Sequence, residues 1–148
     1  MQTSKVLAAE LATWNSGRGI SSLDWIINTG SFTQFTAYAR LIFPEFVEFQ
    51  GRLYLADLFT QERLGELRKG SDDRNAQAIM NVIDLATMFC DADEQSDDEI
   101  RELGRFLKKT WTASAAASFP HRRIHIILDD NLEEEGVGEL LISLVDEN

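Results

Sequence analysis

The chain has 148 residues, of which 44% are hydrophobic and 26% charged, enough for one domain with a core of its own. Two prolines, nine glycines and a single cysteine exclude a collagen-like or linker protein, an internal disulfide and a cysteine-built zinc cluster. A formal charge of −11 argues against nucleic acid and an anionic membrane as partners.

Residues 5–14 are expected to form a helix, because Ser4 can cap it and Leu7, Leu11 and Trp14 recur at helical spacing. Glu10 interrupts the first apolar run, so no signal-peptide core is expected. Gly17 and Gly19 stop the helix. A short helix over 22–28 follows, carrying Leu23, Trp25, Ile26 and Ile27; another over 32–42 places Phe32, Phe35, Ala39 and Ile42 on one face. Pro44 forces a break after Phe43. The aromatics that crowd this first third, from Trp14 to Phe49, are expected mostly in the core; any left exposed would mark a binding surface.

The period then changes to two. Val47 and Phe49 alternate with Glu48 and Gln50, Leu53 and Leu55 with Arg52 and Tyr54, and Gln50-Gly51 supplies a tight turn, which predicts a β-hairpin. A short helix over 60–69 starts at Thr60 and closes at Gly70. A longer one is predicted over 72–90 with Ser71 as cap; its apolar positions cover most of its circumference, which places it centrally. Its polar Asn81 and Asp84 then need partners, most simply a tie to a neighbouring loop. Ser96 and Glu99 form a capping box that opens a helix over 97–117, with Ile100, Leu103, Leu107 and Trp111 on its buried side. Residues 123–129 and 139–145 read as two further strands joined by an acidic linker. The expected architecture is a single α+β domain over 1–148, helix-rich, with a small antiparallel sheet built from two hairpins.

The charge is divided unevenly. Residues 1–56 sum to zero, so all the net negatives lie in 57–148. Asp91, Asp93, Glu94, Asp97, Asp98 and Glu99 form one base-free stretch. Asp129, Asp130, Glu133, Glu134, Glu135, Glu139, Asp146 and Glu147 form the other. These stretches are either a solvated loop and tail or an acidic face that meets a basic partner. On the second reading Asp91, Asp93, Glu94, Asp97, Asp98, Asp129, Asp130, Glu133, Glu134 and Glu135 are the partner-binding residues.

Other candidate sites are weaker. Oxygen-bearing residues from Asp91 to Glu102 fall at positions 1, 3, 5, 7, 9 and 12 of a twelve-residue window, the ligand spacing of an EF-hand loop. Ser96 stands where that loop turns on glycine, Asp98 where it places an apolar residue, and Ser96 already has a task as a helix cap. His121, Arg122, Arg123 and His125 form a basic cluster, readable as an anion site or as surface arginines that balance neighbouring acids. His125 alternates with Ile124 and Ile126, which puts it on the less buried strand face. Cys90 reads as an inert buried thiol, and a lone cysteine fits a reducing compartment, by default the cytoplasm. No apolar run approaches the ~18 residues needed to span a bilayer.

Trp14-Asn15, Gly19 and Trp25, then Phe43 to Val47, then Phe119 to Arg123 ahead of an apolar strand, give a pattern that resembles small acidic bacterial proteins of the toxin-immunity type. The resemblance spans most of the chain, rests on aromatics and turns, and implies a role but no site residues. Such proteins act by occlusion, an acidic surface docking on a basic toxin domain such as a nuclease. The first expectation is therefore a non-enzymatic, cytoplasmic module that binds a basic protein and needs no cofactor. The alternative is a small enzyme or divalent-metal or ligand binder that uses the 91–102 carboxylates. A third is a subunit that self-associates through aromatic surface, which a monomer in sedimentation would exclude.

Overall fold

The computed structural model describes residues 4–88, 96–132 and 138–147. Three helices come first: α1 (Lys5–Gly17), α2 (Ser22–Thr29) and α3 (Phe32–Ile42). Each begins at a serine whose hydroxyl accepts a free backbone amide, Ser4 from Leu7, Ser21 from Asp24 and Ser31 from Gln34. The last turn of α1 leaves helical geometry at Trp14, and Asn15 and Ser16 are left-handed at φ 56° and 59°.

β1 (Phe46–Phe49) and β2 (Arg52–Leu55) pair antiparallel from Phe46 opposite Leu55 to Phe49 opposite Arg52. Gln50 and Gly51 both take positive φ, the requirement of the two-residue turn whose twist matches the strands. Next come α4 (Gln61–Leu67), capped by Thr60, and α5 (Asp73–Met80), capped by Asp72. Ser71, the expected cap, instead donates its hydroxyl to Leu67 O.

The helix expected over 72–90 is broken. α5 ends at Met80, Ile83–Asp84 forms a short strand β3, and α6 covers Leu85–Met88. The cause is tertiary. The buried Asn81 carboxamide accepts from Leu55 N at 2.8 Å and donates to Leu53 O at 3.1 Å and Leu144 O at 3.0 Å. Ile83 and Asp84 then pair with Ile142 and Leu141. The predicted tie of Asn81 exists, but to two strands rather than to a loop.

α7 (Asp97–Ser118) carries the capping box of Ser96 and Glu99. β4 (Arg123–Asp130) and β5 (Leu140–Glu147) form the second hairpin, Arg123 opposite Glu147 and Asp130 opposite Leu140. The fold is α+β, and its two hairpins lie in separate sheets, β1-β2 and β3-β5-β4. Asn81 joins these sheets through its side chain.

α7 packs across β4 and β5. Its Ile100, Leu107 and Trp111 meet Ile126, Leu140, Ile142 and Leu144 in the main core. Gly104 permits that closeness, since a Cβ there would lie 3.0 Å from Leu128 Cδ1 and 3.1 Å from Leu140 Cδ2. β2 is buried on both faces: Leu53 and Leu55 enter this core, while Tyr54 enters a second one with Leu64, Ala76 and Met80. The first three helices contribute no fully buried residue. Phe32, Phe35, Tyr38 and Phe43, expected mostly in the core, are 54–83% exposed.

Candidate functional site

The acidic residues divide into those the fold brings together and those it separates. Asp97 and Asp98 occupy the first turn of α7, where free amides and the helix dipole favour carboxylates. Arg101, one turn further on, reaches back to Asp98 at 3.6 Å and across to Asp130 at 2.9 Å. It also donates to Leu132 O at 3.1 Å. The first turn of α7 and the end of β4 therefore meet at the guanidinium of Arg101, 29 residues before Asp130. Asp98 stays 95% exposed there, so its charge faces water. Strand alternation sends Asp129 to the face opposite Asp130, away from Arg101. Asp91, Asp93, Glu94, Glu133, Glu134 and Glu135 lie outside the described residues, as does Cys90.

Glu99 lies beside this cluster and has its own task. Its Oε2 accepts from the Ser96 amide at 3.2 Å and its Oε1 from the Lys5 amide at 2.8 Å. Position nine of the EF-like window is thus held by two backbone amides. Among the described residues no group of three His, Cys, Asp or Glu is placed to hold a metal ion.

The side-chain hydrogen bond from Arg101 is the main reason the Asp130 carboxyl is held below the usual aspartate range. The Ser96 and Lys5 amides do the same for Glu99. Both folded values are depressed, so the stabilisation from these contacts is complete above the unfolded pKa and is lost as pH falls through the lowered one. A carbon-detected NMR titration is expected to give Asp130 a midpoint below that of aspartate in an unstructured peptide, and Arg101→Gln is expected to raise it.

The basic cluster splits. Arg123 and the exposed His125 both face Glu147, at 3.7 and 3.1 Å, as surface pairs. Arg122 enters the fold and holds Asp146 Oδ2 at 2.8 Å, Glu48 Oε2 at 3.2 Å and the Gly51 carbonyl. Asp146 is buried, although its sequence setting is an acidic tail. Gln77 Nε2 donates to Asp146 Oδ1 at 2.7 Å and to Leu53 O at 2.9 Å, while Arg52 lies 3.6 Å from the same Oδ1. This network ties both hairpins to α5. The signal for it is the two-residue period of Leu140, Ile142, Leu144 and Asp146, all buried on one strand face. Its carboxylate oxygens are engaged by the chain's own donors, so it acts as scaffold.

A recess of about 320 Å³ between α3 and α7 has an apolar floor that includes Leu41, Leu55 and Trp111. The charged groups at its rim hold one another: Arg40 pairs with Asp57 at 2.8 Å and Glu45 at 3.2 Å. No helix among the described residues is long and apolar enough to cross a membrane. No protein-family model, no curated protein and no solved structure matches this chain.

Proposed function

We propose that this protein is a non-enzymatic binding module for a basic protein partner, of the inhibitor or immunity kind, with the acidic end of α7 as its contact surface. The observation that carries this reading is the convergence of Asp98 and Asp130 on Arg101. Arg101 draws the acids together, while Asp98, though paired with it, remains almost fully solvated and open to a second cation. Exposed carboxylates in a chain of net charge −11 raise the encounter rate with a cationic surface and set its orientation. The same charge supports a partner that is neither nucleic acid nor anionic lipid. The lone Cys90 supports residence in a reducing compartment, the cytoplasm. The divalent-ion alternative would require Glu99 to leave two backbone amides.

An oligolysine peptide serves as the test ligand, with binding followed by calorimetry at two salt concentrations. Neutralising Asp97 and Asp98 together is expected to weaken binding about three- to tenfold, against at most about twofold for Glu62→Gln with Glu66→Gln on α4, since exposed charge pairs contribute individually little. Equal losses in the two double variants would mean that net charge alone attracts the peptide, and the acidic end would lose its role.

A further inference from the structure

We infer that the apolar face of α2 and α3 is an interface between two copies of this chain. On α2, Leu23, Ile26 and Ile27 follow one another at helical spacing and are 66%, 48% and 71% exposed. On α3, Phe32, Phe35 and Tyr38 recur every three residues and are 83%, 64% and 54% exposed. The two stripes are joined only by Gly30 and Ser31.

Exposed apolar side chains gathered on neighbouring helices mark an interaction surface. α2 has eight residues, too few for a helix to hold alone in water. Within its own chain it is anchored by the half-buried Trp25, whose indole donates to Glu10 at 3.4 Å. The apolar stripe on the rest of α2 is left to water. At about 150–250 Å² per aromatic side chain, the three rings on α3 leave roughly 300–500 Å² open. The three aliphatic side chains of α2, close by in sequence, add further open apolar area, against the ~800 Å² per partner of a stable interface.

Charge selects the occupant. Between Gly19 and Ala39 the single ionised side chain is Asp24, which accepts from the Ser21 hydroxyl at 2.7 Å within its own capping box. Two copies of a chain of charge −11 repel over most of their surfaces, and this stretch lets them approach without opposing like charges. A two-fold pairing needs a self-complementary patch, and apolar on apolar satisfies it. A basic partner finds no carboxylate cluster to recognise here, and an anionic bilayer would repel the rest of the molecule.

Sedimentation of the full chain over a range of concentrations tests this. The expected result is a monomer–dimer equilibrium that tightens with added salt, the opposite of the trend expected for a cation at the acidic end, because screening removes repulsion between copies. Phe35→Asp and, separately, Ile27→Asp are expected to weaken the dimer by at least about tenfold, as loss of a central apolar anchor does. Both positions are exposed, so far-ultraviolet circular dichroism should not change. Ile79→Asp on α5, an exposed apolar position elsewhere, should leave the dimer intact. A monomer at every concentration overturns the inference. So does a dimer that survives Phe35→Asp and Ile27→Asp, or a monomer that cosediments with phosphatidylcholine vesicles.

Discussion

Asp146→Ala is expected to cost about 3–5 kcal/mol of folding stability, the loss that follows removal of one partner from a buried ion pair. Among the described residues Asp146 is the carboxylate that pairs with Arg52, and it also holds Arg122, which Glu48 reaches as well. Both arginines keep about a fifth of their side-chain surface exposed, at 20% and 19%. Truncation leaves these charges in a half-dry pocket and leaves Gln77 Nε2 with Leu53 O alone. Glu48 at 3.2 Å recovers part of the interaction, because its side chain is half exposed and able to move. Asp146→Asn should cost less, since the amide oxygen still accepts from Gln77. Replacing Asp146, Arg52 and Arg122 together by Leu, Met and Met should recover much of the loss, as no buried charge then lacks a partner. Urea unfolding of the four proteins measures all of this. A loss in Asp146→Ala of under about 1 kcal/mol, the scale of a surface pair, would mean that the network is not the tie between the hairpins.

Trp111→Ala is the second large effect, with an expected cost of about 3–5 kcal/mol for a fully buried tryptophan. Trp111 lies in the main core and its indole N–H donates to Leu41 O at 2.8 Å. It therefore fills the space between α7 and the sheet and also holds the end of α3 to the body. Trp111→Phe separates the two tasks. It keeps most of the apolar volume, loses the hydrogen bond, and should cost clearly less. Hydrogen exchange should then show faster opening of α3 than of β4 and β5. Trp14 and Trp25 are only half-buried, so the blue-shifted part of the tryptophan emission should vanish in both variants. Uniform acceleration of exchange across the whole chain in Trp111→Phe would contradict the assignment of this bond to α3.

Local signals carried the fold where local physics decides it. Gln50-Gly51 and the flanking alternation read as a hairpin because two positive φ values and a period of two allow little else. The capping box at Ser96 and the spacing of Ile100, Leu107 and Trp111 marked α7. The break after Met80 was not legible, because the apolar pattern runs on through Val82 and Ile83. It is imposed by backbone groups of β2 and β5 that reach Asn81 from 26 and 63 residues away. The same distance problem hid the role of Asp146, whose base partners precede it by 24 residues and more. For the candidate site, the composition of the acidic stretches was plain, yet the meeting of Asp98 with Asp130 depends on how α7 crosses the sheet. The exposed rings of α3 have the amphipathic spacing of a core helix. Helical spacing reads the same for a face that its own chain covers and for one that it leaves open.

An amide chemical-shift map of the protein with added oligolysine tests the central claim most directly. The account predicts shifts centred on Asp97, Asp98, Arg101 and Asp130 that fade as salt rises. Shifts spread evenly over the acids of α4 and α5, or centred on α2 and α3, or indifferent to salt, would contradict it.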